Sequence, residues 1–320
     1  MKPTTRALLL LLALSLLLSA CAAPAPESAL DACAAYLLRA VPAPDVGSVG
    51  GEWAVLGLAR SGCAVPDGYY DDYYARVETR VRACGGVLDA HKNTEYSRLI
   101  LALTAIGKDP RDVAGYNLLL PLGDFEQTVS QGINGAIFAL LALSSGDYVP
   151  AQNPDAGVQA TRQLYLDEIL SSQLPDGGWS LAGGEADVDL TAMALQALAQ
   201  YRTQPDAADA AARGIEALAG LQNEDGSFSA WGEASCESAA QVIVALTALG
   251  IAPDDARFVK NGQTPEDQLL RFSCGDGSFR HTLSGTSDLM ATEQALYALA
   301  ALRRAQNGET TLYDMTDVTP

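Results

Sequence analysis

The heptapeptide QLPDGGW, residues 173–179, recurs twice further along the chain, as QNEDGSF at 222–228 and, less fully, as CGDGSF at 274–279. An Asp-Gly pair permits a tight turn with positive φ at the glycine. The aromatic residue that ends each copy can pack back over the end of the preceding helix. The glutamine that starts the first two copies can hydrogen-bond the loop or the next helix. Three such loops, each ahead of a segment rich in Ala and Leu, predict a repeating fold.

Six segments rich in Ala and Leu have apolar residues at helical spacing, and each follows a loop rich in Gly or Asp. They are residues 51–59, 96–106, 133–143, 191–201, 238–249 and 292–302. Equivalent leucines in successive segments stand 37 to 58 residues apart, which leaves room for two helices and two loops in each step. A repeat of this length is typical of stacked helical hairpins.

Six amphipathic segments alternate with the Ala-rich ones, at residues 29–40, 71–87, 111–120, 156–174, 206–221 and 264–272. Their charges recur on one face, whereas the Ala-rich helices are apolar nearly all round and should lie inside. We therefore predict an all-α fold over residues 29–305, an α/α toroid of six hairpins with inner and outer rings of six helices. An open superhelix is the alternative, but it needs polar end caps that we do not find. The polar tail, 306–320, is expected to be flexible.

The N-terminus has the order of a secretory signal, with Lys2 and Arg6 ahead of an apolar run over residues 8–18. The run leads to Cys21 and resembles a bacterial lipobox, in which the cysteine becomes the lipidated first residue. We expect a lipoprotein signal peptide at 1–20, a tether at 21–28 and a protein anchored to the membrane outside the cytoplasm through Cys21. A plain signal peptide cut nearby is the alternative.

Charge and cysteine content restrict the partners and the redox chemistry. Loss of the signal peptide leaves 18 basic and 39 acidic residues, a net charge of −21. Such a surface repels nucleic acid and anionic lipid, so neutral or cationic ligands are favoured. Apart from Cys21, three cysteines cluster early and two cluster late, and one disulfide in each cluster is expected outside the cytosol. They are Cys33, Cys63 and Cys84, then Cys236 and Cys274.

The repeated loop, written QxxDGxW/F, resembles the QW repeat of squalene cyclases and of the protein prenyltransferase β-subunit. Those proteins share an α/α toroid that also occurs in the cobalamin-binding domains of intrinsic factor and transcobalamin. The chain is most similar to bacterial surface proteins with prenyltransferase/squalene-oxidase repeats, through ADVDLTAMALQALAQY (186–201), SCESAAQVIVALTALGIAP (235–253) and MATEQALYALAALRR (290–304). The resemblance is specific for the fold. It leaves the function open, because one toroid serves cyclases, transferases and binding proteins.

Asp187 and Asp189 lie in DVDLTA (187–192), which resembles the Asp-x-Asp-Asp motif of class II terpene cyclases. The resemblance implies that Asp189 is the general acid and Asp187 its neighbour, although Leu190 replaces the last aspartate of the motif. The favoured interpretation is helix capping, because Asp187, Ser235 and Asp288 fall at equivalent helix starts.

Further polar residues cluster at the starts of the last inner helices. Since all inner helices should run in one direction, these starts converge on one rim and form an acidic mouth with Asp187 and Asp189. The expected ligand-binding residues are Glu237, Gln241, His281, Asp288, Glu293 and Gln294. The alternative is that these side chains only hydrogen-bond the backbone of a neighbouring repeat.

Metal binding is an alternative. Protein prenyltransferases hold zinc through Asp, Cys and His, and here only Cys236, Cys274 and His281 offer a comparable set, without CxxC or HxxxH spacing. We expect no metal and no cofactor.

The leading functional hypothesis is capture, without chemistry, of a small molecule (corrinoid or isoprenoid-like) or a peptide at the acidic rim and central cavity. The alternatives are a terpene cyclase-like or prenyltransferase-like enzyme that uses Asp189 as acid, and a structural interaction module.

Overall fold

The computed structural model describes residues 26–230 and 232–319, and side chains from residue 29 onward. The described residues form twelve α-helices: α1 Pro26–Ala40, α2 Trp53–Ser61, α3 Tyr69–Ala83, α4 Asn93–Ala105, α5 Phe125–Val129, α6 Ile133–Ser145, α7 Arg162–Ser171, α8 Val188–Leu198, α9 Pro205–Gly220, α10 Cys236–Ala248, α11 Pro265–Leu270 and α12 Leu289–Asn307. Antiparallel hairpins precede α10 and α12, namely β1 Ser229–Ala230 with β2 Glu233–Ala234, and β3 Phe279–Arg280 with β4 Ser287–Asp288. Short non-α helical turns lie at Ser48–Glu52, Pro121–Gly123 and Ala199–Tyr201.

The even-numbered helices form a closed inner ring. Each of them packs against two others, in the order α2, α4, α6, α8, α10, α12 and back to α2. Outside this ring, α1 packs on α12 and α2, α7 on α6, α9 on α8, and α11 on α10. The equivalent leucines of the six inner helices are all buried, and each contributes about 2 kcal/mol by burial. They are Leu56, Leu103, Leu140, Leu198, Leu246 and Leu299. The predicted α/α toroid is therefore confirmed.

The repeated Asp-Gly loops join neighbouring hairpins. The side-chain amide of Gln173 donates to the carbonyl of Gly177 in its own loop (2.7 Å) and to that of Ala210 in α9 (2.8 Å). Gln222 repeats the arrangement with Gly226 (3.0 Å) and Phe258 (2.7 Å). The aromatic residues that end the loops are fully buried, as expected. In each of these two loops, one glutamine side chain thus connects the loop to the next outer segment.

The third loop closes the ring. Ser273 stands where the other two loops have glutamine, and Gly277 lies against α1, with φ +97°. A Cβ at Gly277 would lie 2.2 Å from the carbonyl oxygen of Ala32. Beside it, Tyr36 and Ser287 share a hydrogen bond of 3.1 Å between their hydroxyls. The last hairpin therefore packs on the first outer helix, as a closed ring requires.

One predicted outer helix is wrong. Residues 111–120 form turns, and the short helix α5 stands before α6 instead. The Asp112 carboxylate accepts a hydrogen bond from the Gly115 amide (3.1 Å), and the Asn117 side chain accepts one from the Leu119 amide (2.9 Å). Such local bonds compete with helical ones, which explains the difference.

The prediction of a flexible tail is also wrong for residues 310–318. Leu312, Tyr313 and Met315 are buried, and the Met315 amide donates to the Ser145 carbonyl at the end of α6 (2.9 Å). Three large apolar side chains in a polar tail were the signal that this segment packs on the ring.

The five cysteines of the described chain are all thiols, so the expected disulfides are not formed. The two buried thiols have backbone acceptors: Cys33 donates to the carbonyl of Thr292 (3.4 Å) and Cys236 to that of Ala291 (3.6 Å). Cys21, the signal peptide and most of the tether lie outside the described residues. Within the described chain, none of the helices combines the length and apolar character needed to cross a bilayer.

Gly277→Ala tests the closure of the ring. The variant should lose stability through the forced left-handed backbone, about 1–2 kcal/mol, and through the clash with Ala32, about 1–3 kcal/mol more. Gly275→Ala is the matched control, because its φ is also positive (+82°) but its Cβ would meet no atom within 4 Å. Urea unfolding measures both, and equal losses would contradict the packing on α1.

Candidate functional site

The N-termini of the inner helices share one rim, and short polar residues cap three of them. Asp187 accepts a hydrogen bond from the Leu190 amide (2.9 Å), Ser235 from the Ser238 amide (3.1 Å) and Asp288 from the Ala291 amide (2.8 Å). Each cap contributes about 1 kcal/mol. The capping interpretation is confirmed for Asp187, Ser235 and Asp288.

Asp189, the second residue of α8, is not a cap. Its Oδ1 atom is buried and has no hydrogen-bond partner. Burial raises the pKa of Asp189 to about 6, and the nearby carboxylates of Asp187 and Glu237 add to the rise, while Ser238 and His281 oppose it. Asp189 therefore holds its proton more firmly than an ordinary aspartate, and one of its two carboxyl oxygens has no hydrogen-bond partner.

A histidine and a glutamate form an ion pair beside Asp189. Nδ1 of His281 lies 2.7 Å from Oε2 of Glu237, the second residue of α10. The hydrogen bond to Glu237 raises the pKa of His281, and burial raises the pKa of Glu237 even though His281 opposes it. His281 is the solvent-facing partner of this pair, because 60% of its side chain is exposed against 14% for Glu237.

Below the rim, amide side chains connect three inner helices. Gln196 of α8 donates to Oε1 of Gln241 on α10 (2.9 Å). Gln241 in turn donates to Oε1 of Gln294 (3.0 Å) and to the hydroxyl of Tyr297 (2.6 Å), both on α12. The hydroxyl of Tyr297 donates back to Gln294 (2.8 Å). Gln241 and Gln294 occupy matching positions of α10 and α12, and their side chains are hydrogen-bonded to each other.

Aromatic rings cross the bore at this level. The centroid of Trp53 on α2 lies 6.0 Å from that of Phe138 on α6 and 6.0 Å from that of Tyr297. These three side chains, with the amide network, are named the floor. Trp53 and Phe138 are not among the site residues predicted from the sequence, although each is a large ring within an Ala-rich inner helix.

Glu293 is displaced from the mouth. It is fully buried, and its Oε1 accepts a hydrogen bond from the Gly50 amide in the turn before α2 (2.7 Å). Burial raises the pKa of Glu293 to about 8, and the neighbouring carboxylates of Glu52 and Asp288 contribute. The structure therefore places Glu293 at the joint between α12 and α2 rather than on the exposed rim.

Asn134 lies on the rim, where Glu293 was expected. It is the second residue of α6, as Asp189 is of α8 and Glu237 of α10, and α6 packs against α8. The Oδ1 atom of Asn134 is also buried without a hydrogen-bond partner.

The alternative zinc set is not assembled. No group of three or more His, Cys, Asp or Glu residues in the described chain is arranged to hold a metal ion. The Cys236 thiol is buried against a backbone carbonyl, and the His281 ring turns to Glu237.

Together these residues define a toroid with a polar rim above an aromatic floor. Residues 123–254 and 191–317 match the prenyltransferase alpha-alpha toroid domain. The chain belongs to this family.

A curated relative is similar over part of the chain. Drimenyl diphosphate synthase of Streptomyces showdoensis is 27% identical over 146 residues, which is 44% of this chain and 26% of that enzyme. The chain thus spans about a quarter of the length of this relative.

Solved structures share the fold at low identity. A protein from Actinoplanes superposes with a TM-score of 0.55 at 16% identity, over 88% of this chain and 99% of that one. The unsaturated glucuronyl hydrolase from Bacillus sp. GL1 superposes with a TM-score of 0.53 at 13% identity, over 90% of this chain and 97% of that one.

Asp189→Asn tests the unpaired carboxyl. Because the folded-state pKa of about 6 exceeds the unfolded value of about 3.9, Asp189 favours folding most at low pH, and this contribution is lost as the pH rises through 6. Asparagine resembles the protonated acid, so the gain in Tm of the variant over the native protein should grow between about pH 4 and 6.

Asp187→Asn is the control for this measurement. It keeps a good capping side chain and removes only a secondary contribution to the raised pKa of Asp189, so its gain should grow with pH much less than that of Asp189→Asn. A difference between Asp189→Asn and the native protein that is constant with pH would contradict the assignment.

Proposed function

We propose that this toroid is a binding protein that captures, without chemistry, a small organic ligand with a cationic group at the rim. The unpartnered, buried Oδ1 of Asp189 beside the Glu237–His281 pair carries this proposal. A carboxylate in this position gains a charge-assisted hydrogen bond from an ammonium group. The first turns of α8, α10 and α12 contain no Lys or Arg that could supply it.

The floor supports the same ligand class. Tryptophan, tyrosine and phenylalanine rings attract cations through their faces and also accept apolar groups. Trp53 and Phe138 are partly exposed and offer such surfaces below the acidic rim, and the buried ring of Tyr297 packs beside Trp53. An amine with an apolar body fits this combination better than an uncharged corrinoid or isoprenoid. The net charge of −19 over the whole chain favours the approach of cations as well.

Calorimetric titration with octylammonium tests the proposal. Octylammonium should bind, and octanoate, which has the opposite charge on a similar chain, should not. Asp189→Asn should weaken the binding of octylammonium about tenfold, as expected for the loss of one charge-assisted hydrogen bond. Asp187→Asn, which keeps the cap, should bind nearly as well as the native protein. Equal binding of both probes, or unchanged binding to Asp189→Asn, would refute an ammonium site.

Acid catalysis is a second candidate function. It is supported by the match of Asp189 to the acid of the terpene cyclase motif, by its pKa of about 6 and by the similarity to drimenyl diphosphate synthase. A general acid must carry its proton near the working pH. The protein should then convert squalene or a prenyl diphosphate into a cyclic product that disappears in Asp189→Asn. Binding of octylammonium without turnover of either substrate favours the non-catalytic function.

The location of the protein is part of the proposal. The basic and apolar N-terminus and Cys21 favour an extracytoplasmic protein with a lipid on Cys21. Intact-mass spectrometry of protein from its own host tests this, because an unmodified cysteine at position 21 would exclude the anchor.

A further inference from the structure

The C-terminal segment crosses the mouth of the ring opposite the acidic rim. Residues 310–318, named the strap, follow α12 and reach α6, where the Met315 amide donates to Ser145. Because α12 and α6 are separated by two helices on either side of the inner ring, the strap spans the bore. Leu312, Tyr313 and Met315 are its buried side chains.

Two buried arginines hold the strap. Arg60 of α2 and Arg304 of α12 are 3% and 7% exposed. Asp317 bridges them, with Oδ1 2.9 Å from Nη1 of Arg60 and Oδ2 2.6 Å from Nη2 of Arg304. The remaining acceptors of Arg60 are also in the strap: the Thr310 hydroxyl and the carbonyls of Thr311, Leu312 and Asp314. The strap is thus attached mainly through one carboxylate and several carbonyls rather than through a helix.

The strap fills the mouth incompletely. A cavity of about 190 Å³ lies between Leu312 and Tyr313 of the strap and Gln196 and Val244 of the inner helices. On its other side a cleft of about 520 Å³ lies between the strap and the ends of α4 and α6, where Tyr148 contributes to the lining. Displacement of the strap would join both spaces and expose the amide network from below.

A segment of this kind opens more readily than the ring. It has no regular helix or strand of its own, and its apolar contacts involve four side chains, whereas most residues of each inner helix are buried. Segments with few buried contacts open locally at a lower cost than global unfolding.

We propose that the strap is a lid, which opens while the ring stays folded and gives the bore a second entrance for a small, uncharged apolar molecule. The apolar side chains of the strap occupy the position that this molecule would take. This inference is independent of the cation site at the acidic rim, because it concerns the opposite end of the bore.

Hydrogen exchange measured by mass spectrometry tests the lid. In Asp317→Asn the strap amides should exchange about tenfold faster than in the native protein, while α2, α6 and α12 keep their protection. Glu309→Gln is the control, since Glu309 pairs with Arg304 but lies outside the strap, and it should leave exchange of the strap nearly unchanged.

A second variant and a probe keep the test decisive. Met315→Gln penalises burial at the far end of the strap without disturbing the arginines, so it too should accelerate strap exchange alone. Both variants should bind the uncharged fluorophore N-phenyl-1-naphthylamine at least tenfold more tightly than the native protein. Strap and ring exchanging together in both variants, or faster strap exchange without added fluorophore binding, would overturn the proposal.

Discussion

Close backbone contact at the Asp-Gly loops is the constraint on which the rest of the molecule depends. Gly177, Gly226 and Gly277 all have positive φ, and each lies against the outer segment of the following hairpin. At Gly277 that segment is α1, the first outer helix, so the loops lead around a circle rather than along an open superhelix. Only a residue without Cβ fits both the backbone conformation and the contact with Ala32.

Because the ring is closed, its bore has two mouths, and they carry different polar groups. Because the inner helices run in parallel, the positive ends of their dipoles meet at one rim, where carboxylates such as Asp187 and Asp288 act as caps. Asp189 lies in the first turn of α8, close to other carboxylates, and its Oδ1 atom has no hydrogen-bond partner. At the other mouth, the guanidinium groups of Arg60 and Arg304 donate hydrogen bonds to the strap. The bore is thus acidic at one end and covered by the chain's own terminus at the other.

The repeats made most of the fold predictable from the sequence. The loop motif, the helical period and the matched caps depend on neighbours in sequence, and these features were confirmed. One error is local, because side-chain hydrogen bonds of Asp112 and Asn117 to nearby amides replace the predicted helix over residues 111–120. The others involve longer-range choices: whether the tail packs depends on the space left in the bore. The contact of Trp53 with Phe138 could not be foreseen, because it joins helices that are not neighbours in the ring. The different environments of Asp189 and Glu293 likewise follow from helix rotation, which sequence spacing does not give.

Cross-linking of the first hairpin to the last tests the closed ring most directly. Nη1 of Arg303 at the end of α12 lies 3.6 Å from Oδ1 of Asp31 in α1. Asp31→Cys and Arg303→Cys should be combined in a protein whose partly exposed Cys63, Cys84 and Cys274 are serine. A short bismaleimide should then link the two positions within one molecule in high yield, and the adduct should remain a folded monomer. Products linked only between molecules, or no cross-link at all, would contradict the closed ring and would indicate an open superhelix.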